Sequence, residues 1–584
     1  MSVFRIVRKF HQILSNQQRK KVVELALLMV VGGFLETISV SLIMPFMQAV
    51  MEPEKTMSKP VVKTFCDAFG IDSSRTFLVV LAIILALIYI FKNLFLLFEY
   101  NVQYRFVYGN MFAMQSDILK NYIHRPYEYF LSANSGEIIR IISNDTTVVF
   151  NMLSSILVMF TEIVVSAALV IVTFVLAPAI TIFIGAVLLV LVFVINFALK
   201  PVLHKAGVNR QTSGASMNQW LIQSVEGIKE LKVQRREDYF QNNFDKSGTI
   251  YVNSVRQNAI LGVIPRFMIE AISMSAFFVV VAVMIGNGVN LAKVVPMLSA
   301  VAMAAIRLLP SVNRISNALA QISYGEPALD KMIENLNTIN NRDSTEINKS
   351  ITQISDNAFP VLKNQISVEK ITYHYPKTST NVLNEASLSI NSGDSIGIVG
   401  ASGAGKTTLI DIILGLLKPS EGSVKIDGVD IKSNINAWLS QVGYIPQMIF
   451  LLDGSIRENV AFGENPDEVN DADVWKALEE ASMGEFVHSL LGGLDTQLGE
   501  RGVRISGGQR QRIGIARALY YNPSVLIFDE ATSALDKDTE SAIMDSINHL
   551  HGSKTMLIIA HRLTTIEGCD HVYRVENGKI LQER

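Results

Sequence analysis

Cysteine is almost missing from this sequence. Cys66 and Cys569 are its only two, far apart and without ligand spacing. That excludes a disulfide framework and a cysteine-built zinc site. Charge is scarce as well: charged residues make up 18% of the chain against 49% hydrophobic, a balance that leans toward a membrane protein. The formal net charge of −2 leaves no basic footprint at whole-chain level, so nucleic acid is not an expected partner. The later part of the chain lacks what crowds the part before residue 320, namely apolar runs long enough to span a bilayer. A membrane unit and a soluble unit therefore stand in series. The expected division is an N-terminal segment over 1–21, a membrane domain over 22–334, a polar linker over 335–365 and a soluble domain over 366–584.

What is present is organised around Gly400-Ala401-Ser402-Gly403-Ala404-Gly405-Lys406-Thr407. It follows Ser395–Val399, which reads as a strand, and opens into Thr408–Leu417, whose apolar spacing reads as a helix. That context makes the pattern a phosphate loop. Glycines let several backbone N–H groups turn toward one anion, and the helix start adds partial positive charge. Lys406 is expected on the β- and γ-phosphates of ATP and the Thr407 hydroxyl on Mg²⁺. Gly400, Ser402, Gly403, Ala404, Gly405 and Thr408 complete the cradle.

Further elements stand in order along the soluble part. Upstream of the loop, Tyr375 can stack on adenine, with Tyr373 as its rival. Gln447, after the strand-like Val442–Ile445, is expected near Mg²⁺ and the attacking water. Ser506, Gly507, Gly508 and Gln509 precede a helical run, Ile513–Tyr520, and form a second anion-binding helix start. The apolar Val525–Phe528 suits a buried parallel strand. Asp529 at its end is expected to hold Mg²⁺, and Glu530 to act as general base. Ser533-Ala534-Leu535-Asp536 follows, and Asp536 counts among the nucleotide-binding candidates. A last strand, Thr555–Ile559, leads to His561, a candidate sensor of the γ-phosphate.

In the membrane part, Met1–Lys21 carries six cations and no acid. Phe4, Ile6, Val7, Phe10, Ile13 and Leu14 form an apolar stripe between them, which reads as a helix lying on the bilayer surface. Six spans are expected near Val22–Met51, Phe77–Glu99, Met152–Leu176, Ala179–Leu199, Ala259–Gly286 and Leu291–Ile315. The basic start puts both ends in the cytoplasm. The outer loop holds a short amphipathic helix within Pro60–Ile71. The long segments 100–151 and 200–258 read as membrane helices running on into the cytosol, with turns near Pro126–Ser132 and Asn209–Gln219 able to touch the soluble domain. Ionisable residues within apolar runs are costly. Arg307 and Arg314 share a helix face and read either as the basic wall of a cavity or as ion-paired. Arg266 is one turn from Glu270 and can pair with it.

The order GASGAGKT, IPQ, ISGGQ, VLIFDE, SALD and AHR resembles the ATP-binding-cassette family over essentially all of Ile366–Arg584. Thr496–Gly502 is similar to the extra loop of exporters, and six spans followed by one cassette resembles an exporter half-transporter. The resemblance implies a multi-pass α-helical membrane domain of exporter type followed by an α/β P-loop domain. It implies a homodimer in which ATP sits between Lys406 of one cassette and Ser506 and Gly508 of the other. It also puts Tyr375 on adenine, Glu530 in the role of base, and Gln447 and His561 at Mg²⁺ or the γ-phosphate. Ile505 departs from that family's usual leucine.

Phe34–Thr37, Met44–Phe46, Pro265–Arg266 with Glu270, and Arg307–Ser311 with Arg314 resemble the bacterial lipid-linked oligosaccharide flippases of the cytoplasmic membrane. This finer resemblance implies that Arg266, Arg307 and Arg314 line a cavity for a lipid pyrophosphate and its sugars, and that the outer helix engages a polyprenyl tail. Another lipid or a hydrophobic drug is the alternative cargo.

Overall fold

The computed structural model describes residues 3–176, 178–286, 291–343, 359–376, 378, 380–499, 502–530, 550–560 and 566–584, with side chains described for only part of 40–48, 169–199, 273–308 and 337–343. Contacts divide the chain into two units: Met1–Arg125 with Ala133–Ser344, and Pro126–Ser132 with Thr345–Arg584.

The first unit is helical. α1 (Val3–Ile13) is followed closely by α2 (Asn16–Ser41), so the second helix starts before the expected span and takes in the cations at 19–21. The apolar stripe of α1 is divided: Ile6, Phe10 and Leu14 are buried while Phe4 and Val7 are exposed. Lys9 pairs with Glu326 at 3.2 Å and Asp330 at 2.5 Å. One face of α1 therefore packs on protein, while the side bearing Phe4 and Val7 stays exposed. α2 stops at Ser41 because Pro45, inside α3 (Ile43–Met51), has no N–H to give the Ser41 carbonyl.

Two short helices, α4 (Pro53–Met57) and α5 (Pro60–Phe69), precede the long α6 (Ser74–Ile123). α5 is the expected outer helix. Its Cys66 is buried with Ala49, Ile71 and Phe77, and Val61 and Phe69 are exposed. The short α7 (Tyr127–Phe130) belongs to the second unit; after it come α8 (Ser135–Ile139), a π-helical turn Arg140–Asp145, and α9 (Thr146–Leu176). Asp145 in that turn is buried and accepts hydrogen bonds from Arg140, from Arg210 at 3.3 Å and from Gln211 at 3.2 Å.

α10 (Pro178–Glu226) runs without a break through 209–219, so no turn forms there. The chain turns instead around α11 (Ile228–Gln234), where Arg235 takes a left-handed φ of 52°. α12 (Glu237–Gly286) and α13 (Leu291–Asp343) complete the unit. Helix extends through Asp343, so the expected linker begins later than residue 335. Among the described residues three stretches are long and apolar enough to cross a bilayer: Asn16–Ser39, Ser74–Ile123 and Ser135–Ala168. The other three expected spans lie on α10, α12 and α13, where side chains are only partly described.

The second unit carries two sheets. β1 (Gln365–Tyr373), β2 (Leu383–Asn391), β4 (Glu421–Ile426) and β5 (Val429–Asp430) form an antiparallel sheet in the order β2-β1-β4-β5. β3 (Ser395–Val399), β6 (Val442–Ile445), β7 (Val525–Asp529), β8 (Thr555–Ile559), β9 (His571–Glu576) and β10 (Lys579–Gln582) form the order β10-β9-β3-β8-β7-β6. All pairs in this second sheet are parallel except β9 with β10. β3, β7 and β8 are buried at every position, which explains their unbroken apolar sequences. Because β3, β6 and β7 run in the same direction, their carboxyl ends face one side, where ligands of open α/β sheets bind.

Candidate functional site

The site is built where β3, β6 and β7 end. After Val399 the chain curls, with φ of 151° at Gly400, 80° at Gly403 and 102° at Gly405, values that glycine adopts without strain. A Cβ on Gly400 would stand 2.5 Å from the Val575 carbonyl oxygen. The helix Lys406–Ile413 starts directly after Gly405 and ends sooner than expected, ahead of left-handed Gly415. Lys406 is 5% exposed. Its Nζ donates to the carbonyl oxygens of Gly400 at 2.9 Å and Ala401 at 3.1 Å, so the cation is held inside the curl. Ser402, Gly403 and Thr407 are exposed, and Ala404 is half-buried.

Thr408 is buried, and its hydroxyl is 2.9 Å from the Tyr375 hydroxyl. Tyr373 lies in the core, where burial pushes its phenol up to about 12. It meets Tyr375 edge-on at 5.3 Å. Tyr375 is half-buried, while Tyr373 has no accessible face.

At the end of β7, Asp529 is buried and accepts a hydrogen bond from the Tyr444 hydroxyl at 3.3 Å. Burial raises the Asp529 carboxyl above its usual range, helped by the Glu530 charge and opposed by Tyr444 and Lys406. A divalent cation would relieve that cost, so the donor set fits Mg²⁺. Glu530 takes a left-handed φ of 51° and its N–H donates to the Ile559 carbonyl at 3.2 Å. Non-glycine residues in that region store strain, which clusters at functional sites. The Gln447 amide donates to Glu530 Oε2 at 2.7 Å. The fold thus brings Gln447, Asp529, Glu530 and Lys406 to the side where the carboxyl ends of β3, β6 and β7 lie.

Ser506 caps the helix Gly507–Leu519, which begins earlier than the expected Ile513. The Gln509 N–H donates to Ser506 Oγ at 3.2 Å and the Ser506 N–H to Gln509 Oε1 at 2.9 Å, a capping box. Ser506 and Gly507 are exposed, and a Cβ on Gly507 would meet nothing within 4 Å. Asp536 and His561 lie outside the described residues.

Sequence reasoning missed Asp411 on the loop helix. It is buried, and burial with the Asp529 charge pushes its carboxyl up to about 6. Its position on the phosphate-loop helix, five residues past Lys406, was the available signal. The segment Pro126–Ser132, expected to reach the soluble domain, does group with it. There Glu128 Oε1 accepts from the Lys418 N–H at 3.1 Å, and Tyr127 sits within electrostatic reach of Asp411.

In the membrane unit, Arg314 Nε pairs with Glu162 Oε1 at 2.7 Å; Glu162 is buried while the Arg314 side chain stays 45% exposed. Arg266 is exposed, 6.0 Å from the Phe267 ring. Among the described residues no ion pair joins it to Glu270. The Arg307 side chain is outside the described set.

Comparison with known proteins bears on both units. A family model described as ABC transporter matches residues 383–533, and one described as ABC transporter transmembrane region matches residues 24–306. The uncharacterized ABC transporter ATP-binding protein YwjA of Bacillus subtilis is 43% identical over 223 residues, 38% of each chain. The match therefore spans well under half of that relative's length. The heterocyst differentiation ATP-binding protein HepA of Nostoc is 30% identical over 78% of this chain and 73% of its own. An ATP-dependent lipid A-core flippase of Photobacterium profundum is 29% identical over 80% of this chain and 78% of its own. Among solved structures, a bacterial Atm1-family ABC exporter with ATP bound has a TM-score of 0.71 at 21% identity, covering 97% of this chain and 95% of that one. It shares the fold.

Proposed function

The chain belongs to the ABC transporter family, and from that premise we propose that it is an ATP-driven exporter half, active as a homodimer, that moves an amphiphile with an anionic head across its membrane. The observation that carries the hydrolytic part is the Gln447–Glu530 bond of 2.7 Å beside buried Asp529 and Lys406. Lys406 holds the terminal phosphates of ATP. Thr407, Gln447 and Asp529 hold Mg²⁺, which supplies charge neutralisation on the phosphates when bound. Glu530 accepts the proton of the attacking water, oriented by the Gln447 amide. Tyr375 stacks on adenine; Ser506, Gly507, Gly508, Gln509, Asp536 and His561 complete the pocket, the first four from the partner cassette.

The cargo reading is a polyprenyl-pyrophosphate-linked oligosaccharide. Its support is Arg266, exposed within an apolar stretch of α12 and without an ion partner among the described residues. A cation in that setting is costly unless a cavity or an anion meets it. Arg314 contributes the exposed side of its paired guanidinium, and Arg307 lies on the same helix. The flippase relative acts on lipid A-core, and another lipid of that kind is the second reading.

ATP-driven translocation in proteoliposomes tests both. Polyprenyl-pyrophosphate sugars are expected to move faster than neutral lipids, and Arg266→Gln to lower that transport at least about tenfold, the cost of a lost charge pair. Equal transport of both lipid classes, indifferent to that change, would remove the anionic cargo.

A further inference from the structure

Between α2 and α6 lies a cavity of about 590 Å³ that the transport mechanism does not use. Its lining combines the charged Lys21, Glu24 and Arg105 with the apolar Leu28, Phe98 and Phe106. It sits where the apolar segments end. Lys21 is the residue before the run that begins at Val22, and Arg105 lies about two turns past Phe98, roughly 10 Å along the axis. The charged lining is therefore at headgroup depth and the apolar lining at the top of the acyl chains. No ion pair is found for Lys21, Glu24 or Arg105 among the described residues. At the polar end, Gln18 Nε2 donates to Asn110 Oδ1 at 2.8 Å and ties the two helices together.

Gly109, also in the lining, supplies a second observation. A glycine inside a helix costs about 1 kcal/mol against alanine, usually in exchange for a close helix contact. Here a Cβ would meet nothing within 4 Å. What the glycine leaves is the opening itself.

We propose that this cavity binds one anionic glycerophospholipid of the surrounding bilayer, of the phosphatidylglycerol type. Its phosphate lies between Lys21 and Arg105, its headgroup hydroxyls donate to Glu24, and the start of an acyl chain rests on Leu28, Phe98 and Phe106. Two cations and one carboxylate leave one net positive charge, which matches a phosphodiester rather than a more highly charged pyrophosphate. The long Lys and Arg stems reach the headgroup layer while covering apolar surface. A lipid seated there would link α2 and α6 and make turnover respond to the anionic lipid content of the membrane.

The test uses the full chain reconstituted with phosphatidylglycerol or phosphatidylcholine, re-extracted into detergent and examined by native mass spectrometry. Wild type is expected to retain phosphatidylglycerol. In Lys21→Gln/Arg105→Gln, retention is expected to fall on the order of tenfold to thirtyfold, at about one kcal/mol per basic residue. Gly109→Phe fills the cavity, leaves the charges and favours helix, so it is expected to fold and to lose retention as well. Phosphatidylcholine retention should be low and equal in all three. Equal phosphatidylglycerol retention in wild type and Gly109→Phe overturns the site. Retention of a polyprenyl-pyrophosphate lipid in preference to phosphatidylglycerol overturns the occupant.

Discussion

Glu530 shows how one residue can be pinned for chemistry. Its backbone is strained at φ 51°, and its carboxylate is held by Gln447 at 2.7 Å. Glu530→Gln keeps shape and hydrogen-bonding reach but cannot take a proton. ATP turnover by the purified protein should fall by about 10²–10⁴-fold, measured as phosphate release, with nucleotide binding intact; unchanged turnover would remove Glu530 as base. The carboxylate Asp427 serves the fold instead. Burial acts to raise its pKa, but the N–H groups of Lys363, Asn364 and Gln365, at 2.9, 3.0 and 2.8 Å, stabilise the ionised form and hold it below the usual range. A depressed carboxylate contributes stability that is present above its unfolded pKa of about 3.9 and is lost as pH falls through the folded value. Asp427→Ala should cost about 1.5–3 kcal/mol at pH 7, and the deficit should shrink below pH 4 in thermal unfolding. Lys406, Ser506 and Asp529 could be placed from the sequence because they sit at a helix start, a helix cap and a strand end, where local pattern fixes position. Asp411 was not, because its burial and its nearness to Asp529 arise from packing that spans more than a hundred residues of sequence.

At the scale of elements, two glycines in long helices make opposite demands. Gly207 on α10 meets α13: a Cβ there would lie 2.3 Å from the Tyr324 carbonyl oxygen and 3.2 Å from Pro327. Gly109 on α6 meets open space. Alanine improves intrinsic helix propensity by about 1 kcal/mol at either site. Gly207→Ala should nonetheless lower the thermal midpoint, since separating packed helices costs about 1–3 kcal/mol. Gly109→Ala should raise it. A gain at both positions would show that α10 and α13 do not approach as described. Strands β3, β7 and β8 were readable because burial on both faces writes an unbroken apolar run. Helix boundaries were less so. The tip of α10 was expected near Asn209–Gln219, but Arg210 and Gln211 there bond to Asp145 from within continuous helix, and polar residues serving an interhelical network look like a turn in one dimension. The stripe of α1 was legible as amphipathic, but sequence does not show that Ile6, Phe10 and Leu14 are covered by protein.

For the whole molecule, the proposed pairing of cassettes can be tested without a structure of the dimer. Ser506 and Gly507 are exposed at a helix start, whereas Lys406 is folded into its own loop. If ATP needs Lys406 from one chain and Ser506 from the other, a Lys406→Ala chain and a Ser506→Arg chain are each inactive alone. Mixed before reconstitution, they form dimers in which one site carries both defects and the other carries none. A two-fold arrangement with random assembly gives mixed dimers half the time, each with one sound site, so turnover should recover to about a quarter of wild type. A pocket complete within one chain predicts no recovery, because every chain then carries its own defect. Recovery that vanishes when the two variants are reconstituted separately and the vesicles then combined would locate the complementation within single dimers, as the shared pocket requires.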